Sequence, residues 1–237
     1  MARNSHFARA FTLIEMIVVL AIIAILMSMV YPMFTSMSER AKATKDMSNL
    51  RQIGLATQTF LNDNDGVLFS SATAWSSQLQ LNKKYLSVWR VLQSPFDKRS
   101  PGEAGNATTP ISYGVNANIY PNVVGTLTAL PASKITNPTG FILFAPAQAS
   151  GAAGATVSFQ GTALSTAPGV TVAAVGGNAV QSSPGGNVTN GTHNSRKLIN
   201  VLFADLHCET MSWTAFANTT AANQDEPNQW TPYLPYP

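Results

Sequence analysis

The apolar residues of this chain are concentrated in one run near its N-terminus, from Phe11 to Phe34. Glu15 is the only strongly polar residue within that run. About 20 apolar residues in a helix cross a hydrocarbon core of roughly 30 Å, so the run predicts a membrane-spanning helix. The ten residues before it carry Arg3 and Arg9 and no acidic residue. The positive-inside rule therefore predicts that this end stays in the cytoplasm and that the rest of the chain is exported.

Residues 35–62 change to an amphipathic pattern, in which less polar residues return every three or four positions. These residues are Ala43, Met47, Leu50, Ile53, Gly54, Thr57, Phe60 and Leu61. The charged residues lie mostly at other positions, and we expect them to form a solvated face, with intersubunit salt bridges as the alternative. They are Glu39, Arg40, Lys42, Lys45, Asp46 and Arg51. The two patterns together predict one long helix, half in the membrane and half packed on a head.

Residues 63–237 predict a β-rich head, which makes the fold class α+β, with a long N-terminal helix packed on a small antiparallel sheet. Strand-like runs bounded by Pro or Gly cover residues 111–116, 141–145 and 200–204, and residues 70–100 favour one or two short helices. Residues 151–191 contain no charged residue and predict an exposed surface insertion. The proline-rich tail after Glu226 predicts an extended strap over the head.

The turn sequence at residues 62–66, Asn-Asp-Asn-Asp-Gly, superficially resembles a calcium loop. Residues 67–80 contain no Asp or Glu to supply the bidentate ligand, so a plain turn is the better interpretation.

Charge and cysteine content exclude several functions. Only 11% of residues are charged, and the formal charge of +3 falls to +1 once Arg3 and Arg9 are removed with a leader of residues 1–10. That balance gives no case for nucleic-acid binding. Cys208 is the only cysteine, so the chain cannot form an intrachain disulfide, a zinc cluster of cysteines or a CxxC redox pair. We expect no cofactor.

Glu15 is the residue that a plain membrane anchor does not explain. A carboxylate inside a membrane helix costs roughly 2.5–3.5 kcal/mol, so it calls for a partner. The apolar run offers no Lys or Arg, but a cut between Ala10 and Phe11 would create an α-amino group one helical turn away. The alternative of a secretory signal peptide would place the cut after the apolar run.

Residues 10–26 resemble the class III signal of type IV pilins and type II secretion pseudopilins. The resemblance implies that a prepilin peptidase cuts between Ala10 and Phe11, that the new Phe11 terminus is methylated, and that Glu15 docks on a neighbour's terminus. The family usually has Gly before the cut, where this chain has Ala10. Pro32 stands where many members have a helix-kinking proline, and marking the membrane exit is its other interpretation.

The head resembles a bacterial prepilin subfamily in three segments: Ser94–Asp97, Ser112–Asn116, and His193 followed by Asn200–His207. Ser94 replaces a cysteine, eleven residues rather than about nine separate His193 from Asp205, and Leu206 replaces a glycine. A retained hairpin turn would hold Leu206 at positive φ at a cost on the order of 1 kcal/mol. His193, Asp205 and His207 could also form a catalytic or metal site, but we favour a structural hairpin.

The resemblance implies a structural subunit, without enzymatic activity, that polymerises into a type IV pilus or pilus-like filament. Its implied partners are other copies of the chain in a helical polymer, prepilin peptidase, an assembly platform protein with its ATPase, and inner-membrane lipid before assembly. The subunit would move from the inner membrane to a cell-surface or periplasmic filament. A type II secretion pseudopilin is the first alternative, and a membrane-anchored periplasmic enzyme or a binding head comes after it.

Four Asn-x-Thr triplets would be glycan acceptors on an exported protein, although chance explains them in so Asn- and Thr-rich a chain. They begin at Asn106, Asn187, Asn190 and Asn218.

Overall fold

The computed structural model describes residues 12–80, 84–99, 110–120, 129–147, 159, 171–172, 191–216 and 229–232. The chain forms two compact units, Met1–Ala41 and Lys42–Pro237. Helix α1, Leu13–Asp63, contributes residues to both units, and the second unit also contains a small sheet. The architecture is α+β, as the sequence predicted.

The first part of α1 is exposed along its apolar length. Every large apolar side chain from Leu13 to Phe34 is solvent-exposed. This stretch extends about 33 Å, which is close to the thickness of a membrane core. Among the residues described, α1 alone is long and apolar enough to cross a membrane. The helix continues through Pro32, and the Thr35 hydroxyl donates to the Pro32 carbonyl at 2.9 Å.

The second part of α1 is amphipathic, as predicted. Leu50, Ile53 and Phe60 are buried in the core of the head. The predicted turn at residues 62–66 is confirmed, because the helix ends at Asp63 and both Asp65 and Gly66 have positive φ. Asp46 corrects the prediction of a solvated charged face, since its side chain is fully buried.

The sheet has five strands in the order β3-β1-β2-β4-β5. They are β1 (Tyr113–Asn116), β2 (Ile142–Pro146), β3 (Thr171–Val172), β4 (Leu198–Phe203) and β5 (Cys208–Ser212). Four strands pair antiparallel, and the three predicted strand-like runs supply β1, β2 and β4. The two-residue β3 pairs parallel to β1, which the prediction of a purely antiparallel sheet missed. The described residues also form short helices α2 (Trp75–Gln80) and α3 (Trp213–Phe216) and 3-10 turns at Trp89–Leu92, Ala117–Ile119 and Ala132–Lys134.

Part of the uncharged region at residues 151–191 belongs to the head's core and sheet. Phe159 is buried, and β3 lies within this region. The prediction of an exposed loop is therefore wrong for these residues, and most of the region lies outside the described residues. Burial of an aromatic ring and ladder hydrogen bonds to β1 explain how a segment poor in large apolar residues is anchored there.

The described residues of the tail, 229–232, pack on the head as predicted, but residues 229–230 form a turn rather than an extended segment. Trp230 is buried, and its indole N–H donates to the Phe216 carbonyl at 3.2 Å. Asn118 Nδ2 donates to the Trp230 carbonyl at 2.7 Å, and the Ile142 N–H donates to the Gln229 carbonyl at 2.9 Å. Residues 229–232 are therefore hydrogen-bonded to the head and packed onto it.

The β4–β5 hairpin confirms the prediction for Leu206, which has φ = 72° in the turn between the two strands. A side chain with a Cβ is disfavoured there, whereas glycine adopts this conformation without steric cost. We expect Leu206→Gly to be more stable than Leu206→Ala by about 1 kcal/mol, because both lose the same packing and only alanine keeps the Cβ. Urea unfolding of the two variants tests this, and equal midpoints would mean that the turn relaxes around a Cβ.

Candidate functional site

Helix α1 begins with a reciprocal pair of hydrogen bonds between Thr12 and Glu15. Glu15 Oε2 accepts from the Thr12 backbone N–H at 2.8 Å and from the Thr12 hydroxyl at 2.7 Å. The Glu15 N–H donates back to Thr12 Oγ1 at 3.3 Å. This is a capping box, which satisfies backbone donors that the first turn of a helix leaves free. The sequence analysis missed this intrachain partner, although the Thr-x-x-Glu spacing is its usual signal.

Most of the other processing and modification sites fall outside the residues that the structure describes. Ala10, Phe11 and the acceptors Asn106, Asn187, Asn190 and Asn218 are among these and remain predictions. Pro32 is described and lies inside the helix.

A second cluster lies inside the head, centred on the buried carboxylate of Asp46. Its Oδ1 accepts from the Ser94 hydroxyl at 2.5 Å and from the Tyr113 hydroxyl at 2.7 Å. Its Oδ2 accepts from Asn200 Nδ2 at 3.0 Å. Ser94, Tyr113 and Asn200 are themselves buried, so this carboxylate joins α1 to a turn and to two strands.

The donors to Asp46 come from the three head segments singled out in the sequence. Ser94 opens the Ser94–Asp97 turn, Tyr113 belongs to Ser112–Asn116, and Asn200 begins the last segment. Asp97 ties the first two segments together, because it accepts from the Ser112 hydroxyl at 2.7 Å and pairs with Arg99 at 2.6 Å. Residues of these segments therefore form the polar interior of the head. Their hydroxyl and amide side chains supply the hydrogen-bond donors that the buried carboxylates need.

Burial raises the pKa of Asp46, and the hydrogen bonds from Ser94, Tyr113 and Asn200 only partly offset it. A raised folded-state pKa contributes stability that is complete below the unfolded pKa of about 4 and is lost as pH rises through the folded value. The pKa of Asp97 shifts in the opposite direction. Burial raises it, but the hydrogen bonds from Arg99 and Ser112 outweigh burial, so the pKa is lowered.

Comparison with Asp46→Asn isolates the pH dependence of Asp46, because Asp97 titrates in both proteins. We expect the unfolding free energy of the wild type, minus that of the variant, to fall as pH rises above about 4, by at most about 1.4 kcal/mol per pH unit. Urea unfolding at a series of pH values from about 4 to about 8 measures this difference. A difference that rises with pH would show that the folded head prefers the ionised carboxylate.

The described structure does not bring His193, Asp205 and His207 into one site. His207 pairs with Asp205 and stacks on Phe203 with ring centroids 4.3 Å apart. His193 instead stacks on Phe96 at 5.8 Å and meets the Thr192 hydroxyl at 3.0 Å. Within the ranges the structure covers, no group of three or more His, Cys, Asp or Glu residues could hold a metal ion. His207 and Asp205 pair within the β4–β5 turn, whereas His193 forms an isolated bridge with Leu198 at the start of β4.

Cys208 is half-buried at the start of β5, and burial raises the pKa of its thiol. A raised pKa keeps the thiol protonated and weakly nucleophilic, which fits a packing role.

Comparison with protein families gives the decisive observation at the N-terminus. Residues 6–31 match the family model described as the prokaryotic N-terminal methylation motif. The chain carries a class III signal, the N-terminal methylation motif. The match contains Glu15, its capping partner Thr12 and all but the last three residues of the exposed apolar stretch. The methylation motif is that of type IV pilin-like and pseudopilin subunits, a structural rather than enzymatic class, and it fits a membrane-anchored pilin.

The methylation-motif match stops well before the head of the pilin-like chain. Comparison with curated proteins and with solved structures found no significant match. The likeness of the head to one prepilin subfamily therefore remains a prediction from its three sequence segments.

Proposed function

We propose that this protein is a structural subunit that polymerises through its N-terminal helix into a type IV pilus or pilus-like filament. One observation carries the proposal: the exposed apolar half of α1 begins within a methylation motif. An apolar surface of this length is unstable in water and needs either lipid or other apolar helices around it. Polymerisation would replace lipid by the helices of neighbouring subunits.

The proposed assembly begins in the inner membrane, with lipid covering the apolar half of α1. Prepilin peptidase would cut between Ala10 and Phe11, and methylation would follow at Phe11. An assembly platform and its ATPase would then move the subunit from the membrane into a cell-surface or periplasmic filament. The chain itself would carry out no catalysis in these steps.

Glu15 would have two successive partners in this scheme. In the described chain its carboxylate accepts from the Thr12 N–H and hydroxyl. A carboxylate has room for about four hydrogen bonds, so the cap leaves acceptor capacity for a neighbour's α-amino group. An ion pair between the two would be strong in an apolar filament core, where few other polar groups compete.

A pseudopilin of a type II secretion system would use the same N-terminal chemistry, so the location of the polymer separates the two functions. The test is to shear cells that produce the chain and to detect the head by antibody in the sheared filaments and in the membrane pellet. Labelled filaments in the sheared fraction support the surface pilus. Recovery from membranes alone, with secretion lost on deletion, would favour the pseudopilin.

A further inference from the structure

A basic cleft of about 760 Å³ opens on the head beside the Ser94–Asp97 turn. Four cationic residues, Lys45, Arg90, Lys98 and Arg99, line it. They are a large share of the 14 Lys and Arg residues in a chain of which only 11% is charged. Like charges repel one another at close range, so this clustering costs the free head some stability.

The single acidic residue among those lining the cleft is already neutralised. Asp97 pairs with Arg99 at 2.6 Å, and its side chain is only 2% exposed. Arg99 is fixed further by donating to the Ile111 carbonyl at 2.9 Å. The Asp97–Arg99 pair therefore contributes no net charge to the cleft.

Lys45, Arg90 and Lys98 are the other three cations that line the cleft. All three are exposed, and none forms an ion pair with any residue that the structure describes. Lys45 extends from α1, whereas Arg90 and Lys98 lie on either side of the Ser94–Asp97 turn. The hydrogen bond from Ser94 to Asp46 joins α1 to this turn, which holds the backbone of Lys45 near that of the turn.

We propose that this cleft binds a phosphate ester, with the phosphate among the three cations and the organic group against the cleft's apolar side. Arg and Lys are the side chains that bind phosphate oxygens, Arg by its planar fork and Lys as a point charge. Val88, Val91 and Pro95 also line the cleft and give it a wall suited to carbon atoms. The space is larger than an inorganic anion requires, which favours an organic phosphate. Soluble esters and phospholipid headgroups share this chemistry.

The test is calorimetric titration of the full chain in a neutral maltoside detergent with glycerol 3-phosphate and, separately, with short-chain phosphatidylglycerol. Glycerol and short-chain phosphatidylcholine are the matched ligands without net negative charge. Binding of glycerol 3-phosphate identifies a site for soluble esters, and binding of phosphatidylglycerol alone identifies a headgroup site. Either result supports the proposal, and binding of neither ester overturns it.

Variants connect the binding to the cleft. We expect Arg90→Gln and Lys98→Gln each to weaken binding about two- to fivefold, and the double variant to weaken it further. Lys134→Gln and Lys197→Gln remove cations that do not line the cleft and should leave affinity unchanged. Thermal melting checks that all five variants fold. Equal weakening by cleft and control variants, or tighter binding of duplex DNA than of either ester, would show a non-specific charge effect and contradict the proposal.

Discussion

Glu15→Ala is expected to abolish incorporation of the chain into filaments while leaving the head folded. The variant removes the acceptor for a neighbour's α-amino group and leaves that cation unpaired in an apolar core. Losing one partner of a buried charge pair weakens association by about thirtyfold or more. Quantification of the chain in the sheared filament fraction, with melting of the detergent-solubilised protein as the control for folding, measures both effects.

Thr12→Ala separates the two roles of Glu15. It breaks the capping box and costs the helix about 1 kcal/mol, but it keeps the carboxylate. If charge pairing between subunits is what matters, Thr12→Ala assembles nearly as well as the wild type and Glu15→Gln fails. Assembly by Glu15→Gln together with failure of Thr12→Ala would show that helix capping is the required property.

Asp46→Ala is expected to destabilise the head by about 2–4 kcal/mol. It leaves the Ser94 hydroxyl, the Tyr113 hydroxyl and the Asn200 amide without their shared acceptor in a buried site. Each buried donor left unpaired costs about 1–3 kcal/mol, and rearrangement of the two hydroxyls recovers part of the loss. Urea unfolding of the solubilised protein gives the change in free energy.

Lys42→Ala is the matched control for Asp46→Ala, because it removes an exposed charge from the same helix. Surface substitutions of this kind change stability by less than about 0.5 kcal/mol. A similarly small effect of Asp46→Ala would mean that the buried network is not what joins α1 to the turn and the strands.

The sequence predicted those parts of the fold that depend on local pattern. The apolar run and the three- and four-residue spacing of Leu50, Ile53 and Phe60 were sufficient for helix α1. Runs of β-branched and aromatic residues were sufficient for β1, β2 and β4. The short β3 also lies in a β-branched run, residues 170–172, but within a region whose overall composition predicted a surface insertion, so its pairing with β1 was not foreseen.

The Asp46 network shows why part of the head could not be predicted. Position 46 lies four and seven residues before Leu50 and Ile53, on the same helical face, so the spacing did signal a buried site. The charge of Asp46 nevertheless favoured a prediction of exposure. The donors that stabilise its burial lie 48, 67 and 154 residues away in the chain. Local sequence contains no information about such long-range partners, whereas the folded head brings all three to one carboxylate.

The N-terminus of the assembled chain tests the central claim most directly. Intact mass and N-terminal peptide mapping of the protein from sheared filaments and from membranes would measure it. We predict a chain in the filaments that begins at N-methylated Phe11. A chain that still begins at Met1 or Ala2 in both fractions would contradict the account.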